Sequence, residues 1–291
     1  MFYVNINGSF YDEAHAKISV FDHGFLYGDG VFEGIRIYNK TIFKLEEHLD
    51  RLYDSATAIK MGIPLTKEQF HKEIIRTCQK NSITSGYIRV LATRGIGDLS
   101  LNPYICKNQS YVIIAREVDP LLGTKSIEHG VDVITTSVRR MSSSAIPIRA
   151  KTMSYINSIL AVAHALDLGK QEAIMFGEHG YITEGSGDNI FIIKNGIVKT
   201  PATHLGILEG ITRNTIIEIC KKNGYQVEEA CLTSYDLTTA DEVFITGTLA
   251  EIVPVKSIDG KQVGSSSPGK ITKEIAACFR IVAQQDGAKY Q

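Results

Sequence analysis

The sequence predicts an α+β protein built as two lobes. Its 291 residues are nearly twice the length of a single domain of about 150 residues, so one large or two medium domains are expected. The opening of the chain reads mainly as strands joined by turns. Helix and strand patterns then alternate irregularly after a segment that contains Pro and Gly. Together these three observations predict the two-lobed α+β class.

The elements predicted before residue 118 start with strands. FYVNI, VFEGIRIY and TIFK read as strands, with an Asn-Gly turn after the first. From Leu45 onward, apolar residues at helical spacing predict two amphipathic helices. YIRVLATR and SYVIIARE are then predicted as strands on either side of a loop over residues 95–103. The length of this loop without regular structure suggests a functional role.

A segment with Pro and Gly marks the predicted domain boundary. VDPLLGT lies between two patterned blocks at residues 118–124, which is typical of a linker. We therefore expect a smaller α+β domain over residues 1–118, a linker over residues 119–126 and a larger α+β domain over residues 127–291.

The larger domain is predicted to mix strands with helices. VDVITT and EAIMF read as strands that flank a helix over residues 154–168, and NIFIIKNGIVKT reads as a hairpin. A helix is predicted over residues 211–223, with strands near residues 226 and 243. A last helix is expected to open at Ser267-Pro268.

Composition narrows the possible functions. Thirty-one Lys and Arg against 32 Asp and Glu leave a net charge of −1, so neither nucleic acid nor an anionic membrane is expected as a partner. Five cysteines without a C-x-x-C pair predict reduced thiols, and no metal site is expected. The N-terminus has no basic segment before an apolar run, and no stretch has the length of a membrane span. A cytoplasmic location is therefore expected.

Several common catalytic motifs are missing. The glycines of GDGVFEG and RGIGDLS do not fit G-x-G-x-x-G, and the chain has no G-x-x-x-x-G-K-[ST], H-E-x-x-H or G-x-S-x-G. P-loop hydrolases, zinc peptidases and ordinary serine hydrolases are therefore disfavoured. The eight histidines form no cluster with metal-ligand spacing. His48, on a charged helix face, is expected to be solvated.

Seven segments occur in an order that points to one enzyme family. They are FLYGDGVFEGIR, EEHLDRLYDSA, YIRVLATRGIGDL, RAKTMSYINSILA, ITEGSGDNIF, LEGITRNTIIE and FITGTLAEIVPV. Over residues 2–255 the chain resembles branched-chain amino-acid aminotransferases, which are enzymes of fold type IV (D-amino-acid aminotransferase-like) that use pyridoxal 5'-phosphate (PLP). The resemblance implies a two-lobed fold with the cofactor between the lobes. It also implies a homodimer or a higher homo-oligomer built from dimers.

The resemblance assigns three residues to the reactive part of the cofactor. A PLP enzyme needs an amine that forms an imine with the aldehyde and later carries a proton, and a lysine supplies both. Lys151 corresponds to that residue, and the apolar helix predicted after it could desolvate the amine. Glu184, in ITEGSGDNIF, corresponds to the carboxylate beside the pyridine nitrogen. Tyr155, four residues after Lys151 and so predicted on the same helical face, resembles the tyrosine that bonds the phenolic oxygen.

The cofactor phosphate is assigned mainly to the LEGITRN segment. Gly210 precedes the predicted helix, and the amides of Ile211 and Thr212 would face the anion at its N-terminus. Thr248, in ITGTLAE, resembles a further phosphate contact. Arg51, in HLDRL, resembles the phosphate-binding arginine. Read alone, this arginine is an i,i+4 partner of a glutamate on the same helix.

The implied substrate site must hold carboxylates as well as branched aliphatic side chains. Arg89 and Tyr87, two residues apart in YIRV, project to one face of a strand and can approach a carboxylate together. Arg36, in FEGIR, is a secondary candidate. The amides of Leu249 and Ala250 are implied as ligands of the substrate α-carboxylate. Three aromatic residues complete the implied site: Phe32 and Tyr155 as walls of an apolar pocket, and Tyr27 as a contribution from a neighbouring subunit.

The implied reaction transfers the amino group of leucine, isoleucine or valine to 2-oxoglutarate. D-Amino-acid aminotransferases and aminodeoxychorismate lyase share the GDG-containing opening and the lysine–helix arrangement, so both remain alternatives. D-Specific enzymes typically carry an Arg-x-His trap after TRG, where this chain has IGDLSLNP. The branched-chain interpretation is therefore favoured. A protein that binds PLP or a metabolite without turnover is a further hypothesis, but the presence of both Lys151 and Glu184 argues against it.

Overall fold

The computed structural model describes residues 2–118 and 122–291. They belong to two compact units, each assembled from separate segments of the chain. The first unit comprises Met1–Val118, Ala150–Ser154 and Ala283–Gln291. The second comprises Asp119–Arg149 and Tyr155–Val282.

Lys151 lies in the first unit, which differs from the predicted division. The sequence assigned all of residues 127–291 to one domain that carries Lys151. In the structure, residues 150–154 belong to the first unit because Thr152 forms a β-bridge with Val31 of that unit. Pairing between distant segments therefore decides which unit residues 150–154 belong to.

The predicted linker also differs in part from the structure. The first segment of the first unit ends at Val118, the residue predicted to end the smaller domain. Residues 119–121 of the predicted linker lie outside the described residues. A helix begins at Gly123, within the remaining part of that linker.

The described residues contain 15 strands and eight α-helices, numbered here in chain order. The strands are β1 (Tyr3–Ile6), β2 (Ser9–Asp12), β3 (Gly30–Tyr38), β4 (Thr41–Phe43), β5 (Gly86–Thr93), β6 (Ser110–Arg116), β7 (Val131–Arg139), β8 (Glu172–Phe176), β9 (Asn189–Lys194), β10 (Ile197–Pro201), β11 (Val227–Ala230), β12 (Glu242–Gly247), β13 (Glu251–Ile258), β14 (Lys261–Gln262) and β15 (Gly287–Lys289). The helices are α1 (His23–Tyr27), α2 (Leu45–Ala58), α3 (Lys67–Lys80), α4 (Gly123–His129), α5 (Ile156–Asp167), α6 (Ile211–Lys222), α7 (Ser234–Thr238) and α8 (Lys270–Gln285).

The first unit is built on an antiparallel sheet with the strand order β15-β4-β3-β5-β6-β1-β2. Residues of β5 alternate between buried and half-buried, so that Ile88 and Val90 face the core while Tyr87 and Arg89 face the other side. The helices α2 and α3 contribute the rest of this core. The apolar positions of α2, among them Leu49 and Leu52, recur at helical spacing and are buried, as the sequence predicts.

One edge of β3 is only partly used by its neighbour in the sheet. β3 pairs with β5 over most of its length but with β4 only at Ile37 and Tyr38. The free edge of its first half is taken by residues 150–154, where the N–H of Met153 donates to the carbonyl of Gly30 at 2.9 Å. This segment therefore joins the first unit by backbone pairing.

The second unit is built on a mixed sheet with the strand order β11-β10-β9-β12-β13-β7-β8, and β14 pairs with β13. β11, β7 and β8 pair in parallel with their neighbours, whereas β9 and β12 pair antiparallel with theirs. Ala161 and Ala165 of α5 pack on this sheet. The helices predicted over residues 154–168 and 211–223 correspond to α5 and α6, and the last helix begins at Lys270. None of the helices in the described ranges combines the length and apolar character needed to cross a bilayer.

The core position of Leu52 gives a test of the packing of α2. Leu52→Ala should lower the free energy of unfolding by about 2–5 kcal/mol, because it leaves a cavity among fully buried residues. Asp54→Ala, at an exposed position of the same helix, should change it by less than about 0.5 kcal/mol. Urea denaturation of both variants checks the difference, and equal effects would contradict the described packing.

Candidate active site

Lys151 is held by its backbone in an extended segment. Its N–H donates to Oγ of Ser55 at 2.9 Å, and its carbonyl accepts from the N–H of Phe32 at 3.0 Å. Ser55 is a buried residue of α2, so the segment is tied to both α2 and β3. Because both main-chain groups of Lys151 are hydrogen-bonded, its backbone position is fixed by these bonds as well as by side-chain packing.

The ring of Phe32 lies next to two cations. Nζ of Lys151 is 4.6 Å from the ring centroid, and the guanidinium carbon of Arg89 is also 4.6 Å from it. The guanidinium carbon of Arg89 is in turn 5.4 Å from the centroid of the Tyr87 ring. Each cation–π contact contributes about 0.5–2 kcal/mol. The structure thus brings together four of the predicted site residues, with Lys151 and Arg89 at the Phe32 ring and Tyr87 beside Arg89.

Strand register explains this arrangement. Gly34 of β3 lies opposite Arg89 of β5, and Arg36 lies opposite Tyr87. Opposite residues of an antiparallel pair point to the same face, so the predicted shared face of Tyr87 and Arg89 is present. A Cβ at Gly34 would overlap the Tyr87 hydroxyl, so only glycine lets that side chain cross β3. Arg36 donates from Nη1 to the carbonyl of Val118 at 3.0 Å, which fixes its side chain.

A buried charge cluster lies where α2 packs on β3. Nε and Nη2 of Arg51 donate to the two carboxylate oxygens of Glu33 at 2.7 and 2.8 Å, and Nδ1 of His48 is 2.7 Å from Oε2. Burial would raise the pKa of Glu33, but Arg51 and His48 outweigh it and hold that pKa well below its usual value. Burial lowers the pKa of His48, as do the charges of Arg51 and Lys151, against the opposing effect of Glu33. The cluster therefore holds an ion pair and a neutral imidazole.

Two expectations for α2 were wrong. Glu47, the residue that would pair with Arg51 along the helix, instead binds Lys44 at 2.9 Å, and Arg51 binds Glu33. His48 is buried, not solvated. Both differences arise because β3 places a carboxylate on the face that α2 covers, which helical spacing alone does not indicate.

The carboxylate of Glu184 is buried in the second unit and held by three donors. Nη2 of Arg140 lies 2.8 Å from Oε1. The N–H of Leu208 and Nδ2 of Asn189 donate to Oε2 at 3.1 and 3.3 Å. The donors come from three separate segments, so the carboxylate is oriented as well as paired with a cation.

The N-terminus of α6 is suited to an anion. Its N-cap is Gly210, no side chain caps the helix, and its first turn carries no acidic residue. The amides of Ile211 and Thr212 lie at this positive end of the helix dipole. Asn189 donates to the carbonyl of Leu208, shortly before the helix, at 2.9 Å, and a Cβ at Gly210 would overlap its side-chain oxygen. Asn189 therefore connects Glu184 to the start of α6.

The predicted carboxylate-binding residues 248–250 form the turn between β12 and β13. Oγ1 of Thr246 donates to the carbonyl of Glu251 at 2.7 Å and closes the turn. Glu251 has a positive φ of 60°, which is uncommon outside glycine. A Cβ at Gly247 would overlap Oδ1 of Asp188, so the turn packs directly against the segment that follows Glu184.

The two remaining predicted tyrosines lie at helix ends. Tyr27 is the last residue of α1, is exposed, and contacts the ring of His23 edge to face with centroids 5.0 Å apart. Tyr155 is the N-cap residue of α5. Tyr155 does not share a helical face with Lys151, contrary to the prediction, because residues 151–154 precede the helix.

Sequence reasoning named Lys151, Arg51 and Glu184 but missed the residues that hold them. Of these missed residues, only Glu33 has a local signal, because it is an acidic residue inside the otherwise apolar strand pattern VFEGI. The others have no signature of their own, since their partners are distant in the chain. The missed residues are Glu33, His48, Ser55, Arg140 and Asn189.

Comparison with known proteins identifies the family. The profile of the amino-transferase class IV family matches residues 30–258, which is most of the chain. The chain belongs to the class IV aminotransferase family. A relative from Methanocaldococcus jannaschii, a putative branched-chain-amino-acid aminotransferase, is 47% identical over 98% of this chain and 98% of its own length. The predicted family is thereby confirmed.

Solved structures agree with a class IV aminotransferase. The branched-chain amino acid aminotransferase of Escherichia coli has a TM-score of 0.94 and 36% identity, covering 98% of this chain and 96% of its own. The T.th. branched-chain amino acid aminotransferase, complexed with N-(5'-phosphopyridoxyl)-L-glutamate, has a TM-score of 0.91 and 36% identity, covering 97% and 94%. The predicted fold class, a mixed α and β structure of fold type IV, is confirmed.

The Arg140–Glu184 pair gives a test of the second unit of this class IV aminotransferase. Arg140→Leu should lower the free energy of unfolding by about 3–5 kcal/mol, because it leaves a buried carboxylate without its cation. Arg149→Leu removes the exposed pair with Glu209 and should cost at most about 1 kcal/mol. Denaturant titrations at pH 7 check both values. A smaller effect for Arg140→Leu than for Arg149→Leu would contradict the assigned role of Arg140.

Proposed function

We propose that this aminotransferase transfers the amino group of leucine, isoleucine or valine to 2-oxoglutarate, giving a branched 2-oxo acid and L-glutamate. The observation that carries the proposal is the amine of Lys151, held on β3 in a chain that belongs to the class IV aminotransferases. The substrate class is supported by the E. coli and T.th. structures, which are both of branched-chain amino acid aminotransferases.

The cofactor that we propose is pyridoxal 5'-phosphate, and the residues fit it. The uncapped N-terminus of α6 offers amides to a phosphate, and the buried Glu184 suits a protonated pyridine nitrogen. The T.th. structure carries a phosphopyridoxyl derivative of glutamate. When bound, the cofactor withdraws electrons from the substrate Cα, which makes the α-proton acidic.

Lys151 has two tasks in this proposal. Its amine would hold the cofactor through the aldehyde group, and it would move the substrate α-proton as acid and base. The Phe32 ring covers one side of this amine and gives it an apolar neighbour. Arg140 and Asn189 hold the Glu184 carboxylate, which is proposed to face the pyridine nitrogen, and the Tyr155 hydroxyl is proposed to bond the phenolic oxygen.

We assign the phosphate to four residues. The amides of Ile211 and Thr212 and the Thr212 hydroxyl are assigned as donors at the start of α6, where Gly210 is the N-cap and no side chain caps the helix. Thr248 is assigned as a further donor. Arg51 is assigned as the cation, and its two bonds to Glu33 fix the plane of its guanidinium.

The substrate contacts follow from charge and polarity. Arg89, with Tyr87 beside it, is assigned to the side-chain carboxylate of 2-oxoglutarate, and Phe32 to the branched aliphatic side chain. The amides of Leu249 and Ala250 are assigned to the α-carboxylate. Arg36 is the weaker candidate, because its Nη1 is committed to a main-chain carbonyl.

The other reactions of the fold are not favoured. The sequence left open a D-amino-acid aminotransferase or aminodeoxychorismate lyase, but the relative and the two solved structures described above bear the branched-chain name. A cofactor-binding protein without turnover would need no positioned lysine. The bonded backbone of Lys151 favours an enzyme.

We further propose a homodimer and a cytoplasmic location. The five cysteines, none in a disulfide, suit a reducing compartment. A β-bridge between Asp22 and Ile96 places the loop over residues 95–103 beside α1. Large apolar side chains exposed on these segments give a surface suited to an interface, and Tyr27, assigned to a neighbouring subunit, ends α1. Four large apolar side chains of this surface are 65–82% exposed: Phe25, Leu99, Leu101 and Tyr104.

Lys151→Ala should reduce kcat with L-leucine by about 10²–10⁴-fold, the contribution of a positioned acid and base. Lys72→Ala, an exposed lysine of the same unit, should leave kcat unchanged. Wild-type rates with L-leucine, D-alanine and aminodeoxychorismate, measured in parallel, should be highest with L-leucine. Normal turnover by Lys151→Ala, or a preference for D-alanine, would contradict the proposal.

The double variant Leu101→Asp, Tyr104→Asp should raise the dimer dissociation constant, because it places charges in an apolar interface. Tyr235→Asp, at an exposed tyrosine of the second unit, should leave the dimer intact. Light scattering over a dilution series distinguishes the variants. A fully active wild-type monomer would rule out the dimer.

A further inference from the structure

His48 is a buried histidine whose second ring nitrogen has no partner. Nδ1 lies 2.7 Å from Oε2 of Glu33, which is ionised and can only accept a hydrogen bond. Nδ1 must therefore carry the proton, and Nε2 presents a lone pair. Within residues 2–118 and 122–291, Nε2 finds no hydrogen-bond partner although the side chain is 1% exposed.

An orphaned polar atom in a core is costly unless something else satisfies it. Burying a nitrogen acceptor without a partner costs about 1–3 kcal/mol. An apolar residue at position 48 would avoid this cost. The arrangement therefore points to a ligand or a proton that reaches Nε2 in the working enzyme.

Three charged groups face this imidazole. Glu33 of β3 favours a second proton on the ring, while Arg51 of α2 and Lys151 of the paired segment disfavour it. Without an anion, the two cations and burial outweigh Glu33, and the ring is neutral. An anion bound at Arg51 would offset the two positive charges, so that burial alone would oppose the attraction of Glu33 and of the anion.

We propose that His48 takes up a proton at Nε2 when the cofactor phosphate binds at Arg51, becoming a second cation of the phosphate site. This inference rests on the proposed function, because the anion is the phosphate of the proposed cofactor. The proton comes from solvent, so no bond other than Nε2–H forms. Nδ1–H continues to donate to Glu33, and Nε2–H becomes a donor on the other side of the imidazole ring.

The proposal has a direct spectroscopic test. Full-length protein labelled with ¹⁵N at its eight histidines is freed of cofactor and titrated at pH 7 with pyridoxamine 5'-phosphate, which forms no bond with Lys151. The His48 ring nitrogens, identified by their loss in His48→Asn, should change from the neutral Nδ1–H tautomer to imidazolium. His71, whose Nδ1 lies 2.8 Å from the exposed Glu46, is an internal control and should not change.

A second measurement separates proton uptake from a purely structural role. His48→Asn keeps an N–H donor for Glu33 but cannot gain a proton. Its Kd for pyridoxamine 5'-phosphate should exceed the wild-type value most at low pH, and the ratio should fall by up to about tenfold per pH unit as the pH rises through the pKa of His48 in the complex. A structural role would give a ratio independent of pH.

The outcomes distinguish this inference from the proposed function. If pyridoxamine 5'-phosphate binds while His48 stays neutral, the inference is overturned and the proposed function stands. If neither pyridoxamine 5'-phosphate nor pyridoxal 5'-phosphate binds, both are overturned. If His48→Asn fails to fold, single substitutions of the other seven histidines identify their ring nitrogens and leave those of His48, so the spectrum of the wild-type protein still decides the matter.

Discussion

The candidate site depends above all on the pairing of residues 150–154 with the open edge of β3. Because β4 covers only the end of β3, the first half of that strand can bond the segment that carries Lys151. A lysine has four rotatable side-chain bonds, so its amine can be placed precisely only if its main chain is fixed. The hydrogen bonds from Phe32 and to Ser55 supply that constraint.

Adjacent residues of β3 serve the site from opposite faces of the sheet. Phe32 points to the face that Arg89 shares, and Glu33 points to the face that α2 covers. On α2, the residues that face β3 and the Lys151 segment are polar at positions 48, 51 and 55, between the apolar positions that form the core. Removing the Glu33 carboxylate from water is costly. Arg51 compensates this desolvation cost because it donates a hydrogen bond to each carboxylate oxygen.

The sequence predicted what local spacing determines and missed what distant pairing determines. The amphipathic face of α2 and the shared face of Tyr87 and Arg89 follow from helical and strand periodicity, and both are present. Lys151 was placed in the wrong unit, because the β-bridge of the next residue, Thr152, is to Val31, about 120 residues earlier in the chain. The sequence could not predict the burial of His48 or the partner of Arg51, since both depend on how α2 packs on β3.

Neighbouring residues within the segments that carry the family resemblance have different tasks. VFEGIR supplies Phe32 to the Lys151 amine and also supplies Glu33, which orients Arg51 from the HLDRL segment. ITEGSGDNIF supplies Glu184, and its Asn189 bonds both that carboxylate and the main chain before α6. Both segments thus contain a residue assigned to the site and a residue that positions an assigned side chain. A substitution at a positioning residue would therefore disturb the site without changing any group that contacts the substrate.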